Sequence, residues 1–118
     1  MLPKDVPAVR TARTAVEDWL AGMPAQLRDD ARSVVTELVA NAVRYGEPPI
    51  RLAVERQARG VRIDVSDAGA QRPSYSPRSA EPGWGLRIVD ALAVAWNIAD
   101  NASRVWCVLE WRGPRTDR

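Results

Sequence analysis

Histidine and phenylalanine are absent from this 118-residue chain, cysteine occurs once, and every basic residue except Lys4 is arginine. The missing histidine excludes a Ser-His-Asp triad, a Cys-His pair, a His-ligated zinc and a phosphohistidine on this chain. A lone thiol, Cys107, cannot close an internal disulfide; it suits a reducing compartment and the role of a small buried hydrophobe. No run of 18 apolar residues occurs, and Met1-Leu2-Pro3-Lys4-Asp5 has no apolar signal core. The expected setting is therefore soluble and cytoplasmic, with no membrane span. A dense basic run is missing too. The arginines, from Arg10 to Arg118, interleave with fifteen acids and leave a net charge of only +2. Direct nucleic-acid binding is not expected from so dispersed a charge.

What is present fits one compact domain, placed at residues 5–112 with a tail at 113–118. In residues 6–21, Val9, Ala12, Val16, Trp19 and Leu20 recur at helical spacing. Asp5 is placed to cap this helix, and Gly22 with Pro24 to stop it. Residues 27–45 predict a second helix whose apolar face carries Leu27, Ala31, Val34, Val35, Leu38, Val39 and Ala42, ended by Gly46 and Pro48-Pro49. The period then drops to two. Ile50, Leu52 and Val54 alternate with polar or small residues, as do Val61, Ile63 and Val65, with a turn at Arg59-Gly60; this is a hairpin signature. Residues 67–82 are rich in Gly, Pro, Ser, Gln and Arg and read as a long loop. A third helix is predicted at 84–95, then strands at 96–100 and 104–111 joined through Asn101. The simplest packing is an α+β two-layer sandwich with the helices on one face of a mainly antiparallel sheet. Trp19, Trp96 and Trp106 or Trp111 are expected in the core or at an interface.

Three features depart from what packing alone asks for. Glu37 and Asn41 lie one turn apart on the second helix and project the same way, Asn41 at the border of the apolar stripe and Glu37 just beyond it. They fit either a solvated helix edge or a cleft between helix and sheet, where an amide oxygen can ligate Mg²⁺ and a carboxylate can take a proton. Asp67 continues the odd-numbered parity of Val61, Ile63 and Val65, which aims its carboxylate at the apolar side, with Gly69 allowing close approach of a ligand. It fits either an acceptor for an exocyclic amino group or the opening of an Asp-x-Gly turn. Gly83-Trp84-Gly85-Leu86 precedes a helical run and fits either an anion site or a flexible loop exit. No P-loop motif occurs. In chain order these are a cation and base site, an amino-group acceptor, a loop and an anion site, which is the set one Mg-nucleotide needs.

Glu37-Leu38-Val39-Ala40-Asn41-Ala42-Val43-Arg44-Tyr45-Gly46 resembles the N box of the GHKL (histidine kinase-like) ATPase superfamily. Val65-Ser66-Asp67-Ala68-Gly69 resembles its first glycine box, and Gly83-Trp84-Gly85-Leu86-Arg87-Ile88-Val89 its second. The resemblance covers about residues 8–111 and is nearest to actinobacterial proteins similar to anti-sigma-factor serine/threonine kinases. It implies a Bergerat-type fold with ATP held between helices and sheet under a lid at residues 70–82. By position, Asn41 would ligate Mg²⁺, Glu37 would be the general base, and Asp67 would accept from the adenine amino group beside Gly69. Gly83 and Gly85 would line the phosphates, with Trp84 and Leu86 in the same ATP-binding box. Relatives of this type phosphorylate a serine on an anti-anti-sigma protein and sequester a sigma factor when that partner is absent; a homodimer is compatible with the resemblance. An alternative reading is a nucleotide-binding or partner-binding switch without phosphotransfer. At three family positions this chain differs: Gln71 stands for a glycine, Trp84 for a frequent arginine, and Arg104 for a frequent threonine near the adenine.

Overall fold

A computed structural model describes residues 7–47, 49–68, 86–99 and 104–111. Helix α1 (Pro7–Trp19) buries Ala8, Ala12, Val16 and the following Leu20, a strict spacing of four that makes one narrow stripe. Gly22 then turns the chain at φ +90°, which a side chain would strain. Pro24 belongs to the next helix, not to the end of the first. It is the N-cap of α2 (Ala25–Tyr45), with φ −54° and ψ 141°, and its carbonyl accepts from Arg28 N–H at 3.0 Å. Helix α2 therefore starts two residues earlier than its apolar periodicity predicts. All seven predicted stripe residues, Leu27 to Ala42, are buried. The proposed cap Asp5, the lid 70–82, the Asn101 turn and the tail 113–118 lie outside the described residues.

Strands β1 (Arg51–Gln57) and β2 (Gly60–Ser66) pair antiparallel with Gln57 opposite Gly60, so the turn is Ala58-Arg59 and Gly60 already belongs to the strand. A glycine is needed there for a reason other than the turn. A Cβ on Gly60 would run into the Leu109 carbonyl oxygen and come within 2.8 Å of Glu110 Cα on the neighbouring strand. Helix α3 (Leu86–Leu92) is shorter than predicted at its C-terminal side because Val94 N–H already bonds to the Val108 carbonyl, at 2.9 Å, drawing the chain into the sheet. Strands β3 (Ala95–Ala99) and β4 (Arg104–Glu110) complete an all-antiparallel sheet of order β1-β2-β4-β3. The predicted two-layer α+β sandwich is what forms.

The core sits between the helices and the odd-numbered face of β2 and β4, where Val61, Ile63, Val65, Cys107 and Leu109 are buried. It contains no buried aromatic residue among the described residues. None of Trp19, Trp96, Trp106 and Trp111 is in that core, which leaves the interface half of the tryptophan expectation. Trp19 and Trp111 are exposed, and Trp96 is half-buried with its indole N–H donating to Asp90 Oδ1 at 2.9 Å. Trp106 lies on the sheet's other face beneath the Arg62 guanidinium, 4.5 Å from the ring centre. The reason is parity: Trp106 is even-numbered on a strand whose odd residues meet the helices.

Burial pushes the Cys107 thiol up to about 12 from a usual value near 9, with Arg62 pulling it down and Asp64 adding slightly to the rise. Keeping this thiol neutral stabilises the fold fully below about pH 9, and that contribution falls as pH rises toward 12. The native thiol should therefore resist a disulfide reagent at pH 8 and react once urea unfolds the chain. In urea titrations, Cys107→Ala should lose less stability than the parent between pH 9 and 11.

Candidate functional site

Helix α2 organises the site, because it alone spans from the cleft beside α1 and α3 to the end of the hairpin. Glu37 and Asn41 are both half-buried on it, about 6 Å apart along the axis. No hydrogen bond or ion pair ties either to any other described residue. Glu37 lines a cleft of about 240 Å³ with Arg13 of α1, Arg32, Ser33 and Thr36 of α2, and Ile88 of α3. The described wall of this cleft comes from the three helices, and Asn41 is not part of it. Thr36 is oriented by donating its hydroxyl to the Arg32 carbonyl at 2.8 Å.

Asp67 sits at the other end of α2. Strand β2 stops at Ser66, so Asp67 does open a loop, and its carboxylate turns toward the end of α2, beside Gly46 and Glu47. Its Oδ1 accepts from the Glu47 backbone N–H at 3.2 Å, while Ala68 N–H donates to the Glu47 carbonyl at 2.9 Å. The loop-opening reading of Asp67 is the one this geometry shows. An ionised carboxylate has about four acceptor sites, so holding the loop does not prevent it from accepting from a ligand. Gly46, the C-cap of α2, makes this possible. A Cβ there would stand 2.5 Å from Asp67 Oδ2 and 2.8 Å from the Ala42 carbonyl. Gly46 has an extended backbone, so close approach and not dihedral freedom is what requires glycine. Gly46→Ala should cost about 1–3 kcal/mol by overpacking, seen as a lower urea midpoint with an unchanged slope.

Leu86 opens α3 with its side chain in the core, so what it can offer a ligand is backbone. Gly69, Gly83, Trp84 and Gly85 lie outside the described residues. Arg104 donates from Nε to Asp64 Oδ1 at 2.9 Å on the face of the sheet away from the helices. Ser33, Thr36 and Glu37 follow one another at helical spacing, a signal legible in the sequence. Arg13 joins them only through the packing of α1 on α2, which no local pattern reveals.

The donor chemistry fits a Mg-nucleotide. Asn41 provides a hard amide oxygen and Glu37 a carboxylate, while no three His, Cys, Asp or Glu side chains cluster among the described residues. A divalent ion here would need phosphate oxygens and water to complete its shell, which is how Mg²⁺ is commonly held. Fold and site together define an α+β domain with one long helix carrying polar groups beside a carboxylate at a strand end. A family model, the histidine kinase-like ATPase domain, matches residues 2–109. The chain belongs to the histidine kinase-like ATPases of the GHKL type, whose domains bind ATP, usually with Mg²⁺. No curated protein and no solved structure matches it. No helix among the described residues is long and apolar enough to cross a membrane.

Proposed function

We propose that this domain binds Mg-ATP and acts as an anti-sigma factor with serine kinase activity toward an anti-anti-sigma partner in the cytoplasm. The observation that carries this reading is the placement of Glu37 and Asn41, half-buried and without a partner among the described residues, on the helix whose end abuts Asp67. From Glu37 to Gly46 the helix rises about 13.5 Å, which separates a base-recognition end from a phosphoryl end. Asp67 accepts from the adenine amino group, and Asn41 supplies an oxygen to the metal. When bound, Mg²⁺ offsets phosphate charge. Glu37 accepts the hydrogen of the serine hydroxyl and orients its oxygen. The boxes around Gly69 and Gly83-Trp84-Gly85-Leu86 complete the nucleotide site by resemblance.

The test is to incubate the protein with ATP labelled on the γ-phosphate and a purified anti-anti-sigma protein from the same organism. The label should appear on a serine of that protein and be lost when EDTA removes the metal. Nucleotide binding and sigma-factor capture without label would instead favour a switch that does not transfer phosphate.

A further inference from the structure

The face of the sheet turned away from the helices carries its charges in an ordered pattern. Strand register sets its side chains in rows across the strands. Arg51, Ser66 and Arg104 form the first row, at the end next to Asp67, and Ala53, Asp64 and Trp106 the second. Glu55, Arg62 and Val108 form the third, and Gln57, Gly60 and Glu110 the last, at the hairpin turn. Trp106 and Val108 therefore sit mid-face, with Arg51 and Arg104 toward one end and Glu55 and Glu110 toward the other. Arg62 and Arg104 both reach Asp64, at 3.5 and 2.9 Å, and leave that carboxylate only 12% exposed. The side chains of Arg51, Glu55 and Glu110 are exposed and make no hydrogen bond or ion pair with another described residue.

We propose that this face is the contact between two copies of the chain, related by a two-fold axis that lies between the sheets and crosses the strands. Such an axis turns every strand end for end, so the first row of one copy meets the last row of the other. Arg104 then faces Glu110 of the second copy, Asp64 faces Arg62, and Trp106 packs on Val108, each contact occurring twice. Arg51 faces Gln57, with Glu55 about 7 Å further along the strand. An axis along the strands would instead lay Asp64 on Trp106 and Arg62 on Val108 and pair no opposite charges, so charge selects the crossing axis. Packed sheets sit about 10 Å apart with their strands within about 30°, a gap that Trp106 and the arginines span. A guanidinium has five donors, so Arg104 serves Asp64 and a carboxylate of the second copy together. An apolar centre with a charged rim is the usual make-up of a protein interface. Glu37 and Asn41, in the helix layer, take no part, so the dimer forms without nucleotide.

The test is sedimentation equilibrium of the full chain without nucleotide, at micromolar concentration and low salt. The parent should behave as a dimer. Glu110→Arg and Arg104→Glu each set like charges together at both ends of the axis, so each alone should raise the dimer Kd about tenfold or more. An equimolar mixture of the two should regain the parent's mass, because in the mixed pair both contacts join opposite charges. Arg104→Glu also removes the tie to Asp64. Arg51→Glu and Glu55→Arg break no hydrogen bond or ion pair among the described residues, and they should repeat the pattern of loss alone and recovery on mixing. A parent that stays a single chain overturns the proposed contact. So does a dimer of unchanged Kd in all four variants, which would place the interface on another face, and so do folded variants that stay single chains when mixed.

Discussion

Replacing Asp67 by Asn should collapse the stabilisation that Mg-ATP gives this domain. The substitution is well suited to the site because Asn keeps an oxygen for the Glu47 N–H, so the tie between α2 and the end of β2 survives. What changes is the second atom, which turns from acceptor to donor and faces the adenine amino group donor to donor. Hydrogen bonds to charged groups contribute about 1.5–3 kcal/mol, so affinity should fall about 10- to 150-fold. At a ligand concentration a hundred times the parent's Kd, stabilisation should drop from about 2.7 kcal/mol to about 0.3–1.4 kcal/mol. Thermal melts with and without nucleotide measure this. Asp67→Ala should lower the unliganded Tm, because the loop tie to the Glu47 N–H goes with the carboxylate. An undiminished ligand shift in Asp67→Asn would place the base elsewhere.

Glu37→Ala should have the opposite profile, leaving ATP binding intact while phosphotransfer falls about 10²- to 10⁴-fold, the usual contribution of a positioned base. Glu37 has no hydrogen bond or ion pair with other described residues, so truncation breaks none of those among them. Stability should stay within about 0.5 kcal/mol of the parent. Single-turnover transfer to the serine partner, with nucleotide saturating, separates the two effects. A full transfer rate in Glu37→Ala would exclude it as the base.

Much of the architecture was legible because the strongest signals were periodic. The α2 stripe from Leu27 to Ala42 and the odd-numbered triad Val61, Ile63 and Val65 define the two faces that meet in the core. Element ends were less legible. Pro24 looks like a stop yet serves as the N-cap of α2, and Gly60 looks like a turn residue yet makes room for β4. Pro24 takes its role from the helix that follows it, and Gly60 from a strand distant in sequence. For the tryptophans, side-chain size left core and interface open, and strand parity puts Trp106 on the outer face of the sheet. In the site, the spacing of Glu37 and Asn41 and the parity of Asp67 could be read locally. The contact of Gly46 with Asp67, the loop tie to Glu47 and the arrival of Arg13 beside Glu37 could not, since each joins residues from separate elements.

The central claim is that a chain with no histidine and one buried thiol does its chemistry through a borrowed Mg-nucleotide held along α2. The most direct measurement is the Tm of the purified protein in millimolar Mg-ATP against buffer with Mg²⁺ alone. A rise on the order of 10 °C is expected when ATP exceeds its Kd a hundredfold. An unchanged Tm in a protein that melts cooperatively would contradict the claim.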